Sequence, residues 1–178
     1  IGSLALIEGA DADLWEQRFA TLAANDVITS LDPNARPVVV KDKDQYVARL
    51  LRVMKHARVL KLSDEDLEYL APDQPLMEAF EQICSETHAA IIILTKGADG
   101  AVVRCGSTQF DVAAVQAEPL VDTVGAGDTF MGTLLVEISK TGLSASKLGS
   151  IAKDELARIV TRAAKAAALN CQSAGCNP

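Results

Sequence analysis

The run Ala89-Ala90-Ile91-Ile92-Ile93-Leu94-Thr95 constrains the fold more than any other stretch of the chain. It is continuous, β-branched and uncharged, the composition of a strand buried on both faces in a parallel sheet. Helical patterns lie on either side of it. Residues 75–87 read as a helix, residues 44–57 place Tyr46, Val47, Leu50, Leu51 and Met54 at helical spacing, and residues 11–25 can bury Leu14, Phe19, Leu22 and Ala23 together. Short buried strands are expected at 27–31 and 58–62. The turn Asp32-Pro33-Asn34-Ala35-Arg36-Pro37 stops the first of these, because two prolines and an Asn cannot continue a ladder. Ser63-Asp64-Glu65-Asp66 reads as an N-cap followed by acids where a helix dipole favours them. Lys96 to Gly100 is a tight turn, 101–105 a hairpin return and 110–115 one more strand. Residues 129–140 form a helix stopped by Gly142, and 154–170 form a last, Ala-rich one. The expected class is α/β: one compact unit over residues 1–178, a mostly parallel sheet with helices on both faces, and a ligand site beyond the strands' carboxyl ends.

Charge and apolar content exclude several functions. With 17 Lys+Arg against 24 Asp+Glu the net charge is −7, so a nucleic-acid partner is not expected. The longest apolar run falls far short of the roughly 20 residues of a membrane span, so no membrane partner is expected either. Cys84, Cys105, Cys171 and Cys176 form no Cys-x-x-Cys pair and read as reduced thiols of a cytoplasmic protein. His56 and His88 stand alone, without a ligand at metal spacing. The opening Ile1-Gly2 has neither an initiator Met nor a secretory leader, and the expectation is a chain that begins inside a longer protein.

Chemistry concentrates in Val121-Asp122-Thr123-Val124-Gly125-Ala126-Gly127-Asp128-Thr129-Phe130. The glycines let a ligand approach the backbone, and the helix that follows turns free N–H groups and a positive dipole end toward it. An anion belongs there. Asp128 would then be an unsuitable neighbour unless its carboxylate accepts a proton from a hydroxyl nucleophile while the backbone donors stabilise a phosphoryl group in transfer. From Gly-x-Gly-Asp alone, a shaped turn with a capping acid is an equal reading. The segment is neither a P-loop nor a dinucleotide fingerprint.

Asp122-Thr123-Val124-Gly125-Ala126-Gly127-Asp128-Thr129-Phe130 resembles the C-terminal signature of the ribokinase-like (PfkB-type) carbohydrate kinases. Leu31 to Pro37 resembles the Asp-Pro-Asn-x-Arg segment of the fructokinase branch, and Lys61 to Asp66 its Lys-x-Ser-x-Glu-Glu. Thr95 to Gly100 is similar to the family's Thr-x-Gly-x-x-Gly nucleotide turn, and Ala168-Leu169-Asn170 with Gly175 to its adenine-side segment.

The resemblance implies a ribokinase-like three-layer αβα fold and roles for particular residues. Asp128 would be the catalytic base, and Gly125, Ala126 and Gly127 the anion hole. Thr95, Gly97, Gly100 and Asn170 would border the nucleotide, and Asn34 and Arg36 the substrate or phosphate side. Asp122 would hold the loop, beside a monovalent cation or as a plain turn cap. Asp66 would reach magnesium through water, although Ser63 and Asp66 depart from the Asn-x-x-Glu of many members. ATP, Mg²⁺ and a sugar are the implied ligands, fructose first, with 2-keto-3-deoxygluconate or ribose as alternatives, and a homodimer is left open. A non-catalytic nucleotide-binding fragment is the reading from another class. The resemblance also implies that the N-terminal strands, the lid and most sugar contacts are absent, so the chain is expected to be the C-terminal portion, inactive by itself.

Overall fold

The computed structural model describes residues 1–175. Cys176 lies outside them, whereas Cys84, Cys105 and Cys171 are free thiols. The apolar run forms strand β3 (Ile91–Thr95), third in a five-stranded sheet of order β1-β2-β3-β4-β5. β1 (Ser30–Leu31), β2 (Val59–Ser63) and β3 are parallel, and Gly2 bridges Asp32 in the same sense beside β1. β4 (Ala101–Cys105) and β5 (Thr108–Val112) complete the sheet as an antiparallel meander.

Because successive side chains of a strand face opposite ways, β3 feeds two cores. Ile92 and Leu94 join Leu31, Leu60, Leu62 and Val102 beneath α1 (Gly9–Ala24), α2 (Lys43–Met54), α3 (Asp64–Leu70) and α4 (Leu76–Glu86), which contribute Phe19, Tyr46, Leu50, Leu67 and Phe80. Ile91 and Ile93 join Val59, Val103, Phe110 and Val112 beneath α5 (Ala126–Lys140) and α6 (Lys153–Asn170), which contribute Phe130, Leu134, Leu156 and Val160. Each fully buried Ile or Leu stabilises the fold by about 1.5–3 kcal/mol, and both faces of the same strand draw on this. The result is the expected helix–sheet–helix sandwich. Among the described residues no helix is long and apolar enough to cross a membrane.

Two strands differ from expectation. β1 begins at Ser30 rather than at residue 27, because α1 closes with Asp26 in the left-handed region (φ 56°) and the Val27 N–H donating back to the Leu22 carbonyl at 3.2 Å. That closure commits the segment the strand would have used. β5 occupies Thr108–Val112 rather than 110–115, because Cys105 pairs directly with Thr108 across a two-residue turn. Val112 then pairs with Ala101, the first residue of β4, so nothing remains for residues 113–115 to pair with. Helix α5 starts one turn earlier than expected, at Ala126.

Candidate functional site

The carboxyl ends of the three parallel strands deliver Asp32, Ser63 and Thr95 to one end of the sheet, where such folds bind ligands. A cleft of about 400 Å³ opens beside them. Thr95, Gly97 and Gly100 line one wall, and Ala126 and Gly127 the start of another. The structure therefore brings the expected nucleotide-turn residues and the glycine-rich motif into one cleft. Residues 113–117, released from the sheet after β5, supply a third side, and Ala164, Ala167, Ala168 and Cys171 of α6 and its end a fourth. Small side chains on that helix leave room for a flat ligand.

Gly125 precedes α5 in the left-handed conformation (φ 81°, ψ −3°), which a glycine adopts without a steric penalty. The Ala126 N–H turns inward to the Thr123 carbonyl at 3.2 Å, and the Thr129 N–H closes the first turn on Gly125 at 2.9 Å. The N–H groups of Gly125, Gly127 and Asp128 find no acceptor among the described residues. So of the expected anion-hole residues, Gly125 and Gly127 keep their donors free, Asp128 adds its own, and Ala126 spends its donor within the turn. Three unpartnered amides at a helix start suit an anion.

The Asp128 side chain is exposed on the first turn of α5 and is not part of the cleft wall. Its charge nonetheless reaches the buried Asp32, whose carboxyl is pushed up by burial and pulled down by Lys61, with Asp66 and Asp128 adding to the upward push. Asp128 directly follows Gly127 of the cleft wall in the chain.

Asp66 is buried and fully engaged. Its Oδ2 accepts from the Ser63 N–H at 2.9 Å and the Ser63 hydroxyl at 2.8 Å, while the Ser63 hydroxyl accepts from the Asp66 N–H at 3.0 Å, a reciprocal cap of α3. Its Oδ1 accepts from the Ala35 N–H at 2.7 Å. This bond anchors the turn that carries Asn34, itself at φ 41°, and the exposed Arg36. Asn34, Arg36 and Asp66 therefore form one group, apart from the cleft wall.

Asp122 and Asn170 brace the motif from below. The Asp122 carboxylate accepts from the Val124 N–H at 3.0 Å and the Gly175 N–H at 2.8 Å, which hold it below the usual carboxylate range. The buried Asn170 donates to the Val124 carbonyl at 2.8 Å and takes a 3.4 Å contact from the Thr129 hydroxyl. Neither residue lines the cleft.

Two residues that carried no role in the sequence reading form a buried ion pair, one of them on the cleft wall. Lys61, in the middle of β2, lines the cleft with its side chain only 6% exposed, and its Nζ lies 2.9 Å from Asp32 Oδ2 and 3.1 Å from Oδ1. The available signal was a lone Lys inside Val59-Leu60-Lys61-Leu62, since a strand buried on both sides rarely admits a charge. Among the described residues no group of three or more His, Cys, Asp or Glu converges as a metal cage. Magnesium typically uses only one or two carboxylates besides phosphate oxygens and water. Asp128 is exposed, whereas both carboxylate oxygens of the buried Asp66, the acid expected to reach magnesium, are already taken by Ser63 and Ala35.

Comparison with known proteins bears on this geometry. The family model "pfkB family carbohydrate kinase" matches residues 2–178. The chain is 36% identical over 144 residues to a fructokinase of Rhizobium leguminosarum bv. trifolii, covering 80% of this chain and 43% of that protein. It is 32% identical over 140 residues to an Escherichia coli fructokinase, covering 79% and 43%. Among solved structures it superimposes on a Vibrio cholerae O395 fructokinase variant bound to fructose, ADP and potassium ion with a TM-score of 0.83 at 26% identity, covering 98% of this chain and 54% of that one. A Xylella fastidiosa fructokinase with bound ATP gives a TM-score of 0.86 at 23% identity, covering 98% and 55%, and supports the fold. The chain thus spans about half the length of the relatives it matches.

Proposed function

The chain belongs to the pfkB family of carbohydrate kinases, and we propose that the whole protein moves the γ-phosphoryl group of ATP to a primary hydroxyl of a sugar, fructose in the first instance. One observation carries this reading: a left-handed glycine launches α5 with free amides at the mouth of a cleft, and an exposed carboxylate stands on the same turn. The nucleotide lies along the wall of Thr95, Gly97 and Gly100, with its base toward the small side chains of α6 and its outer phosphate toward Gly127. Asp128 orients the acceptor hydroxyl and takes its proton. The alkoxide oxygen bonds to the γ-phosphorus as the bond to the bridging oxygen breaks, and ADP leaves with the electron pair. The free amides stabilise the charge on the phosphoryl oxygens during transfer. The exposed carboxylate of Asp128 would hold magnesium through water, and the ion would supply positive charge against the phosphates. The fructose assignment rests on relatives named fructokinases, with 2-keto-3-deoxygluconate and ribose as competing acceptors.

The test is ADP release by the complete protein over a panel of sugars with ATP and Mg²⁺. Fructose should give the highest kcat/KM, and Asp128→Asn should lower kcat by roughly 10²–10⁴-fold with little change in ATP affinity. Turnover close to wild type in that variant would remove Asp128 as the base. This chain alone, about half the length of its relatives, should turn over no sugar.

A further inference from the structure

We propose that Lys61 is the cation that meets the donor's outer phosphate, and that Asp32 is a positioning residue that holds the ammonium there. This rests on the reading of the cleft as a nucleotide site. Among the described residues that line the cleft, Lys61 is the only charged one, so a polyphosphate entering it finds a single fixed countercharge. The ammonium is also beneath the free amides of α5. A Cβ placed on Gly127 would sit 3.4 Å from Nζ, so the absence of a side chain at 127 leaves room beside the ammonium at the start of α5.

Stability does not account for the pair. Lys61 lies on the face of β2 that carries Val59, opposite Ile93 of β3, beneath α5 and α6, where an apolar side chain would pack without desolvating any charge. Buried ion pairs are commonly neutral or worse relative to hydrophobic replacements of similar volume. The geometry points to function instead. Asp32 is 7% exposed, and the strand end fixes its backbone: the Asp32 N–H donates to the Ile1 carbonyl at 3.1 Å. The Lys61 ammonium lies near both Asp32 carboxylate oxygens, yet only Oδ1 receives a well-aligned hydrogen bond, and Oδ2 has no hydrogen-bond donor of its own. One N–H of the ammonium is thereby used, and two remain to be directed at an anion.

The two possible roles of Asp32 predict opposite signs. A carboxylate that merely neighbours the phosphate site repels the donor, so Asp32→Asn would tighten polyphosphate binding. A carboxylate that orients the ammonium strengthens binding, so the same change weakens it. The experiment uses the complete protein and measures affinity for a non-hydrolysable ATP analogue and for AMP, together with steady-state kinetics. Lys61→Met should weaken the triphosphate analogue by about tenfold to a hundredfold, the range for a hydrogen bond to a charged group, and leave AMP unchanged. Asp32→Asn should weaken the analogue several-fold, again sparing AMP, and lower kcat more than it raises the KM for sugar. Asp32→Glu should recover part of both losses.

Should either single variant fail to fold, the double replacement Asp32→Leu with Lys61→Met removes both charges and preserves the packing. It should fold and still lose the triphosphate contact by tenfold or more, whereas a purely structural pair would leave that affinity intact. Tighter analogue binding in Asp32→Asn, unchanged binding in Lys61→Met, or a wild-type protein that binds no nucleotide would each overturn the proposal. A wild-type protein that binds the analogue through Lys61 and phosphorylates no sugar would sink the kinase reading and leave this assignment standing.

Discussion

Gly100 shows how one residue sets the shape of the cleft. It lies at φ 83°, and a Cβ built there would fall 2.3 Å from the Val112 carbonyl oxygen and 2.9 Å from the Ala114 nitrogen. Those atoms begin the wall at residues 113–117, so any side chain at 100 drives that wall out of place. Gly100→Ala should cost at least the roughly 1–3 kcal/mol of a strained backbone conformation, plus the collision, and should widen the cleft. Urea unfolding and ADP affinity measure the two effects, and unchanged values in both would show that the wall yields freely. Asp122 gives a different signature. Its folded-state pKa is depressed by the N–H groups of Val124 and Gly175, so its contribution is complete above the ordinary Asp value and is lost as pH falls through the lower, folded one. Unfolding followed between about pH 5 and pH 2 should lose less stability in Asp122→Asn than in the wild type, because the variant has no carboxylate there to protonate. The two residues differ in how readable they were. The motif made Asp122 visible as a loop anchor, whereas the closeness of Gly100 to Val112 comes from the pairing of β4 with β5, which no local pattern encodes.

At the level of elements, periodicity conveyed the buried strands and the long helices, because β3 and α6 satisfy their patterns within a few residues of sequence. It failed where two local signals competed. Val27 has strand propensity but is committed to closing α1, and residues 113–115 look like strand but have no partner left beyond Ala101. The same limit hid the partner of Lys61, which opens a family-like segment but shows no ion pair until Asp32 and the start of α5 are placed around it. The Ser63–Asp66 segment was readable as an N-cap, and the structure adds that the same carboxylate ties α3 to the turn of Asn34 and Arg36. That double duty makes the two halves of the cap unequal. Ser63→Ala should cost about 1 kcal/mol, the usual worth of an N-cap. Asp66→Ala should cost more, since it also leaves the Ala35 N–H without its 2.7 Å acceptor. Equal losses in equilibrium unfolding would mean that the turn finds other support.

For the molecule as a whole, the two ends of the sheet differ in how they finish. β5 ends the meander at one edge, while β1 is only Ser30–Leu31 and, among the described residues, pairs outward with nothing but Ile1 and Gly2. Unpaired strand edges recruit other strands, and apolar side chains left in water promote association. Both features occur near this edge or close in sequence to it: Leu4 is 70% exposed and Val38 98%, with Leu14, Trp15 and Val27 also accessible. Solved relatives continue for nearly as many residues again as this chain supplies, since it covers 54% of the fructose-bound fructokinase structure. A longer chain could cover this side of the sheet, which the described residues leave open. Sedimentation velocity over a concentration series should then show the isolated chain self-associating, with binding of a hydrophobic dye, while the complete protein at equal concentration binds less dye per chain. Exchange of the Ser30 and Leu31 amides should be faster in the isolated chain than that of the Ile92 and Ile93 amides at the centre of the sheet. A monodisperse, dye-silent isolated chain would mean that β1 is a finished edge.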